Sequence, residues 1–302
     1  YNRIYYLSME NGSINRVVYA IGLNEKNKVL LSRESVYNEA SFSKNMKYFI
    51  NTHSAADIPP SYALYTGKGK QLKVIVNNVE LQEELENYNM SPKEFSTIKI
   101  NGNNLNMWML KPSNFDENKT YPMLMFQYSG PGSQQVVNRW NGSNDYWHNM
   151  LAQKGIIVVC VDGRGTGLKG RDFKKSTQKE LGKYEVEDQI AAAKQLAERP
   201  YIDQHNIGIW GWSYGGFMST NCLLKGNDIF TTAMAVAPVT SWRFYDTVYT
   251  ERYMQTPQEN SSGYDDNSPI NYADQLKGRY PLVHGSGDDN VHPQNTMRMV
   301  NA

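Results

Sequence analysis

The sequence predicts an α/β domain, built on a mostly parallel sheet with helices on both faces and preceded by an all-β region. In the last two thirds of the chain, short and almost continuous apolar runs alternate with helical patterns, as in parallel sheets that are buried on both faces. In the first quarter, strand-like runs follow one another at short intervals. The 302 residues suffice for both regions.

The first quarter contains short antiparallel strands, which are typical of a sandwich or of propeller blades. Two runs, RIYYLSM and NRVVYAI, flank Asn11-Gly12, and this pair accepts the positive φ angles of a tight hairpin turn. Later strands are separated by Lys/Asn/Gly turns or by a turn at Pro59-Pro60. Roughly two blades' worth of strands is present, so a closed propeller would require chain before Tyr1.

A polar helical connector over residues 79–89 ends the β region and places a domain boundary near residue 90. Residues 1–90 then form the all-β region with its connector, and residues 91–302 form the α/β domain. Ligand chemistry in parallel sheets collects at the carboxyl ends of the strands, so the residues that follow each strand are the site candidates. The predicted strands are YPMLMFQYSG, GIIVVCVDG, NIGIWGW, TTAMAVAP and YPLVHG, and the predicted helices cover residues 145–153, 185–197 and 216–224.

The composition excludes several classes of function. The net charge of +1 offers no attraction for nucleic acid or for an anionic membrane. The apolar runs are too short to cross a bilayer. Cys160 and Cys222 lie in apolar surroundings and are predicted to be buried free thiols, and no group of residues has metal-ligand spacing.

A serine between glycines follows the run NIGIWGW, in the pattern Gly211-Trp-Ser213-Tyr-Gly215. A strand, a Gly-x-Ser-x-Gly turn and a helix together form the nucleophile elbow, in which a sharp turn exposes the serine hydroxyl. Glycines are needed because side chains there would collide with the neighbouring strand and helix. The helix N-terminus also points amide groups at the place where an oxyanion would form. We therefore expect Ser213 to be a catalytic nucleophile, against the alternative of a chance match to the pattern.

An aspartate pair, Asp288-Asp289, follows the run YPLVHG. The α/β-hydrolases place their catalytic triad in the chain order serine, acid, histidine, with the acid after a later strand. Either aspartate fits the orienting acid, and an acidic solvated turn is the alternative.

The histidine that should act as general base is missing from the expected place. The chain order requires a histidine well after the acid. His292 follows the acid within the same turn, too close to bridge to the serine, and the other histidines precede the acid. We expect the base to lie beyond Ala302. The other histidines are His53, His148, His205 and His284.

Two further motifs are predicted to be structural. The run Asp162-Gly-Arg-Gly-Thr-Gly167 lacks the Gly-Lys-Ser/Thr ending of a phosphate-binding loop, so it is interpreted as a turn after a strand. Glu185, Glu187 and Asp188 open a predicted helix, where acidic side chains favour the helix dipole, and are interpreted as capping and loop-tethering groups.

Taken together, these motifs resemble the prolyl oligopeptidase family of serine peptidases and, within it, the dipeptidyl peptidase IV branch. The similarity covers residues 90–302 and implies an α/β-hydrolase fold, incomplete at its C-terminus, for residues 91–302. It also implies that residues 1–90 hold the C-terminal blades of a β-propeller. The motifs that carry it are FQYSGPGSQ, VDGRGTG, YEVEDQIAAAKQL, IWGWSYGGFMS, VAPVTSWRFYDTVYTERYM and HGSGDDNVH.

The resemblance implies a role for each residue at the strand ends. Ser213 would be the nucleophile and Asp288 the triad acid. The Tyr128 hydroxyl and the Tyr214 backbone amide would form the oxyanion hole, and the Asn290 side-chain amide would hold a substrate carbonyl. Because Tyr128 follows a strand, its phenol can project over the site as a donor. Without the resemblance, a tyrosine that merely packs is the alternative.

The resemblance also implies an apolar pocket for a proline ring. Trp242, Tyr245 and Tyr249 recur at helical spacing, which would place three aromatic faces on one side of a helix. A core stripe is the alternative interpretation of this spacing. A proline ring requires flat apolar walls because its imide nitrogen has no proton to donate. Val239, Val291 and the Tyr214 ring would complete the pocket.

The prediction is therefore a serine exopeptidase that cleaves after proline or alanine and releases dipeptides through an acyl-enzyme, without a metal or cofactor. Its partners would be peptides with proline at the second position and a second copy of the full-length protein. Neither binding to nucleic acid nor a membrane span is expected. The location would be periplasmic, secreted or at the cell surface. The 302-residue chain alone is expected to be inactive.

Three alternatives differ in activity. The protein could be a prolyl tripeptidyl peptidase, an acylaminoacyl-type peptidase or esterase, or a non-catalytic binding module with a dead hydrolase site.

Overall fold

The structure of the protein is a computed structural model that describes residues 2–302. The N-terminal part is all β, as predicted. Strands β1–β3 form one antiparallel sheet, and β4–β7 form a four-stranded antiparallel sheet in sequential order, the arrangement of a propeller blade. The strands are β1 (Arg3–Ser8), β2 (Val17–Gly22), β3 (Val29–Leu30), β4 (Tyr37–Phe42), β5 (Tyr48–Ala55), β6 (Ile58–Thr66) and β7 (Gln71–Val76).

Two turns in this part differ from prediction. The β1–β2 hairpin forms, but Ser8 pairs with Val17, so the connection is a longer loop than the tight turn expected at Asn11-Gly12. Gly12, with a φ of 117°, makes a turn inside that loop by donating its amide to Met9 O at 2.9 Å.

The prediction of a turn at Pro59-Pro60 was also wrong. Pro59 and Pro60 lie inside β6, and the chain reverses at residues 56–57, because Ala55 pairs with Ile58. Prolines are tolerated at the beginning of a strand and beside an irregularity in register, and such an irregularity lies at residues 53–55.

The predicted helical connector is α1 (Val79–Leu85), followed by a short 3₁₀ turn. The next predicted hairpin is also confirmed, as β8 (Glu94–Ile100) and β9 (Asn103–Leu110). Its turn residues Asn101 and Gly102 have φ angles of 48° and 79°, the left-handed conformation that Asn-Gly permits.

A seven-stranded sheet, in the order β14-β13-β12-β10-β11-β9-β8, organises the α/β part. Strands β10–β14 are parallel, and the β8–β9 hairpin joins antiparallel at one edge. These strands are β10 (Tyr121–Phe126), β11 (Ile157–Asp162), β12 (Ile202–Trp212), β13 (Thr232–Val236) and β14 (Leu282–Val283). The helices are α2 (Ser143–Gln153), α3 (Arg171–Lys175), α4 (Tyr184–Ala197), α5 (Tyr214–Lys225), α6 (Thr247–Met254), α7 (Ser261–Asp265) and α8 (Gln294–Asn301).

The chain divides into two compact units. The first comprises residues 1–93 and 137–150, and the second comprises residues 94–136 and 151–302. No pattern in the sequence predicted that residues 137–150 would group with the N-terminal strands.

The core of the second unit follows from its continuous apolar strands. Every residue of β11 is buried, as expected for a central strand covered by helices on both faces. Cys160 and Cys222 are both buried, as predicted, and burial raises the pKa of the Cys222 thiol. None of the helices within residues 2–302 combines the length and apolar character needed to cross a membrane.

Candidate active site

The strand β12 ends in the predicted sharp turn. Ser213 has φ 57° and ψ −115° and occupies the N-cap position of α5, while its amide donates to Val236 O on the neighbouring strand at 2.8 Å. A Cβ at Gly211 would lie 2.5 Å from Gln127 O, and one at Gly215 would lie 2.6 Å from the same atom. Because real Cβ atoms do not approach a backbone oxygen so closely, only glycine fits on either side of the serine.

Tyr128 lies beside this turn, two residues after the end of β10. The Tyr128 hydroxyl lies within interaction range of the Ser213 side chain. Burial raises the pKa of Tyr128, and the neighbouring phenols of Tyr245 and Tyr253 add to the rise, whereas the interaction with Ser213 opposes it. The phenol therefore keeps its proton and remains a hydrogen-bond donor over the serine.

Ser129, with a φ of 63°, and the glycine after it allow the chain to turn directly behind the tyrosine ring. A Cβ at Gly130 would lie 2.6 Å from that ring. The buried Asp162 carboxylate holds the next part of the loop by accepting from the amides of Gln135 and Val136 at 2.8–3.1 Å. Asp162, the last residue of β11, thus tethers this loop.

Tyr214 occupies the first position of α5, directly after the serine. The amide at this position has no acceptor within its own helix and is available for another oxygen. The ring is buried and packs against Tyr128 and Trp242, with centroids 6.0 and 5.3 Å away. Its hydroxyl donates to Glu185 Oε1 at 2.7 Å.

The loop after β14 distinguishes the two aspartates. Asp288 Oδ1 accepts from the amides of Asn290 and Val291, both at 3.0 Å, which fixes the carboxylate in place. Asp289 is exposed to solvent. Only Asp288 therefore has the fixed position that an orienting acid requires.

The sheet brings Ser213 and Asp288 to the same edge. Trp212, Val236 and Val283 pair across β12, β13 and β14, which are adjacent and parallel. The serine and the aspartate both follow the carboxyl ends of their strands, and β13 separates them by two strand spacings, about 9.5 Å. Tyr128, after β10, lies on the other side of the serine from the aspartate.

His284 contacts the acid but does not face the serine as a free base. Its Nε2 lies 2.7 Å from Val291 O and 3.4 Å from Asp288 Oδ2, and its Nδ1 lies 2.6 Å from Thr296 Oγ1. Both ring nitrogens are therefore engaged, Nε2 with the acid loop and Nδ1 with α8.

The remaining histidines are also placed elsewhere. His292 is exposed, and its Nδ1 accepts from the Gln294 amide at the start of α8. His205 lies in the first half of β12, away from the strand end that carries the serine. His53 and His148 belong to the first unit, where burial lowers the pKa of His148 to about 3.

The predicted pocket residues lie in one hydrophobic cluster with Tyr214. Trp242 is stacked on Tyr249 at 5.9 Å and meets Tyr245 edge-on at 5.9 Å. Trp242 and Val239 are buried, whereas Tyr245 and Tyr249 are half-buried. The fully buried members are Tyr214, Val239, Trp242 and Val291.

The helical spacing that suggested this cluster was misinterpreted. Trp242 begins a short 3₁₀ turn, Tyr245 is extended, and a new helix, α6, begins after Asp246, whose carboxylate caps it by accepting from the Tyr249 amide at 2.8 Å. The three rings meet because the chain bends at Tyr245, not because they share a helix face. The Tyr245 hydroxyl donates to Asn290 Oδ1 at 3.2 Å, which links the cluster to the acid loop.

Three residues near the site were not assigned there from the sequence. Tyr253 packs on Tyr249 at 4.9 Å, and the i, i+4 spacing within α6 was a signal for this contact. Glu185 bonds to Tyr214, and His284 bonds to the acid loop, and both contacts join segments that no local pattern connects. Within residues 2–302, no cluster of His, Cys, Asp and Glu side chains is arranged to hold a metal ion.

Comparison with known proteins agrees with this geometry. The sequence profile of the Prolyl oligopeptidase family matches residues 143–302, which is more than half of the chain. The chain belongs to the prolyl oligopeptidase family. The profile of the Dipeptidyl peptidase IV (DPP IV) N-terminal region matches residues 1–60.

Relatives within the family have related names. Proteins named probable dipeptidyl-aminopeptidase B, from Phaeosphaeria nodorum and Podospora anserina, are 40% and 42% identical to the chain over 99% of its length. The crystal structure of Porphyromonas gingivalis dipeptidyl peptidase 4 covers 99% of the chain with a TM-score of 0.95 and 48% identity. The chain spans 33% of the length of these curated relatives and 42% of that crystallised chain. The prolyl oligopeptidase family fold, an α/β-hydrolase sheet preceded by propeller strands, is thus the fold predicted from the sequence.

Proposed function

We propose that the full-length protein is a serine exopeptidase that releases dipeptides from the N-terminus of peptides. The observation that carries this function is the arrangement along one sheet edge: a strained, half-buried Ser213 with the Tyr128 hydroxyl on one side and the fixed Asp288 carboxylate on the other. The names of the relatives, dipeptidyl-aminopeptidase and dipeptidyl peptidase, support the exopeptidase reaction.

The reaction follows from the arrangement of these groups. Ser213 Oγ attacks the scissile carbonyl carbon, and a histidine other than the five of this chain accepts its proton. The Tyr128 hydroxyl and the Tyr214 amide donate hydrogen bonds to the oxyanion that forms. Asp288 keeps that histidine in the correct tautomer and stabilises its charged form. The imidazolium then protonates the leaving amine, and water hydrolyses the acyl-enzyme to release the dipeptide. No step in this route requires a metal or cofactor.

Preference for proline, or for the smaller alanine, at the second position is supported by the aromatic cluster. Tyr245 and Tyr249 present half-buried ring surfaces beside the buried members of the cluster, which suits a flat apolar ring without an N–H group. The side-chain amide of Asn290, held by Tyr245, is placed at the edge of this surface, where it would donate to a substrate carbonyl.

A substrate panel separates the candidate activities. Full-length protein should cleave Gly-Pro-p-nitroanilide faster than Ala-Pro-Ala-p-nitroanilide or a p-nitrophenyl ester, and Ser213→Ala should lower kcat by about 10⁶-fold while leaving the melting temperature intact. A preference for the tripeptide or the ester would reassign the protein to a tripeptidyl peptidase or an esterase. Peptidase activity that survives Ser213→Ala would place the nucleophile elsewhere.

The proposed function leads to two further expectations. Residues 1–302 alone should not hydrolyse Gly-Pro-p-nitroanilide, since none of their histidines is placed as a general base. Sedimentation of the full-length protein should give a homodimer. A full-length protein that folds but cleaves none of the substrates would favour the binding-module alternative.

A further inference from the structure

A fully buried carboxyl group lies next to the serine turn. Glu185, in the first turn of α4, has no exposed surface, although glutamate is rarely fully buried without partners. Its Oε1 accepts from the Tyr214 hydroxyl at 2.7 Å, and its Oε2 accepts from the Gly182 amide at 3.1 Å. The carboxyl group thus joins the loop before α4 to the first residue of α5.

Keeping an acid in this place has a cost. Burial raises the pKa of Glu185 to about 8, and the negative charge of Asp188 adds to the rise, whereas the hydrogen bonds from Tyr214 and Gly182 oppose it. An apolar side chain of similar size would fill the same space without this cost. The hydrogen bond to Tyr214 is therefore the feature that distinguishes Glu185 from a simple packing residue.

The other acidic residues at the start of α4 have different partners. Asp188 accepts from Arg164 Nε and Nη2 at 2.7–3.0 Å and from Asn101 at 3.1 Å. Glu187 is half exposed and pairs with Arg164. Of these three acids, only Glu185 contacts the serine turn.

Tyr214 connects this carboxyl group to the reacting atoms. Its backbone amide is the oxyanion donor of the proposed function, and its ring packs between Tyr128 and Trp242. The same Cα carries both groups, so fixing the phenol at its far end restricts the rotation of the residue that supplies the amide. Without Glu185, the phenol would lack this acceptor in its buried surroundings.

We propose that Glu185 is a positioning residue for hydrolysis, which acts through the Tyr214 hydroxyl to hold the ring and the amide of that residue in their productive positions. This role rests on the proposed function of Ser213. Glu185 touches no reacting atom, so its effect must pass through Tyr214 and must disappear when the phenol is absent.

A double-mutant cycle on the full-length protein tests this coupling. The variants are Glu185→Gln, Tyr214→Phe and the double variant, with Glu187→Gln as the matched control two residues further along the same helix. The measurements are kcat and KM for Gly-Pro-p-nitroanilide, normalised by fluorophosphonate titration of active sites, together with the melting temperature.

We expect each single variant to lower kcat by about tenfold, the effect of one buried hydrogen bond, with a smaller change in KM. The double variant should have the same kcat as Tyr214→Phe alone, and Glu187→Gln should match the wild type. Fully additive losses, or a Glu185→Gln protein with a lower melting temperature but wild-type kcat per titrated site, would overturn the positioning role.

The remaining outcomes are also decisive. If Glu185→Gln does not fold, Tyr214→Phe decides: a folded variant with wild-type kcat overturns the role, and a tenfold loss of kcat supports it. A wild-type protein that neither reacts with the fluorophosphonate nor cleaves the peptide would overturn the proposed function together with this inference. Activity in the wild type with unchanged variants would overturn this inference alone.

Discussion

The serine turn follows β12 and the acid loop follows β14, two parallel strands of one sheet with β13 between them, but different interactions hold them. At the serine turn, the main chain packs so tightly that a Cβ at Gly211 or Gly215 would lie 2.5–2.6 Å from Gln127 O. In the acid loop, Gly285 and Gly287 have open space around them. That loop is held instead by side chains, because the Asp288 carboxylate accepts from two amides of the loop.

This difference explains how each half of the site is encoded. Ser213, the proposed nucleophile, is fixed by backbone packing that only glycine permits, so its position is visible as a spacing of glycines around a serine. The acid is held by the contacts of its carboxylate. Residue type alone does not identify it, because two aspartates are adjacent. The first region should therefore be sensitive to added methyl groups, and the second to the loss of one particular carboxylate.

Among the tests of this comparison, removing the acid's charge should have the largest effect. Asp288→Asn keeps an oxygen to accept the two loop amides but cannot hold a histidine in the required tautomer, so kcat of the full-length enzyme should fall about 10⁴-fold. Asp289→Asn is the matched control and, as an exposed substitution, should change kcat by about twofold or less. Steady-state kinetics with Gly-Pro-p-nitroanilide measures both, and equal losses would show that the loop does not distinguish the two aspartates.

The next largest effect is expected from loss of the proposed oxyanion donor. Tyr128→Phe removes the hydroxyl beside Ser213 and leaves the ring, and the expected loss of transition-state stabilisation is about 2.7–4 kcal/mol, or about 10²–10³ in kcat. KM should change less, because the donor acts on charge that develops in the transition state. An unchanged kcat would remove Tyr128 from the reaction.

The glycines test the packing half of the comparison. Gly215→Ala should destabilise the protein by about 1–3 kcal/mol, since backbone atoms must shift to admit the methyl group. Gly287→Ala, in open space, should change the free energy of unfolding by less than about 0.5 kcal/mol. Chemical denaturation of the two variants measures this difference, and comparable losses would mean that the acid loop is packed as tightly as the serine turn.

The last test concerns the pH dependence of stability. The pKa of Glu185 is about 8 in the folded protein, above its ordinary value of 4.5, so the folded state retains a proton that the unfolded state releases between these pH values. Stability should therefore fall as pH rises from about 4.5 to 8. The groups coupled to Glu185 are Tyr214, Asp188, Tyr249 and Cys222.

Thermal unfolding of the wild type and of Glu185→Gln across this pH range isolates the contribution of Glu185 to the pH dependence of stability. The decline should be steeper in the wild type than in the variant. Asp162, whose pKa burial raises to about 6, contributes equally to both proteins and cancels in the comparison. Parallel profiles would show that Glu185 is ionised throughout.

The sequence predicted the parts of this molecule that depend on local patterns. Continuous apolar runs became β10–β14, and the glycines around Ser213 predicted the turn, because both follow from the residues themselves. The choice between Asp288 and Asp289 required, besides the resemblance, the loop's own hydrogen bonds. The family resemblance correctly predicted that Tyr245 and Tyr249 lie together, whereas their helical spacing did not.

Contacts between distant segments could not be predicted from local patterns. Glu185 was interpreted as a capping group because it opens a helix, and its bond to Tyr214 depends on how α4 and α5 pack. The aromatic residues suggested one helix, but Asp246 caps a new helix and breaks the spacing. Glu185 thus bonds to a residue outside its own segment, whereas the Asp246 cap is a local contact with a residue three positions later.

The central claim is that the hydroxyl of Ser213 is the nucleophile activated at this sheet edge. The most direct measurement is mass spectrometry of peptides from the full-length protein after reaction with a fluorophosphonate. The account predicts a single adduct on Ser213, absent in Ser213→Ala and strongly slowed in Asp288→Asn. An adduct on another serine, or peptide hydrolysis by a protein that forms no adduct, would contradict it.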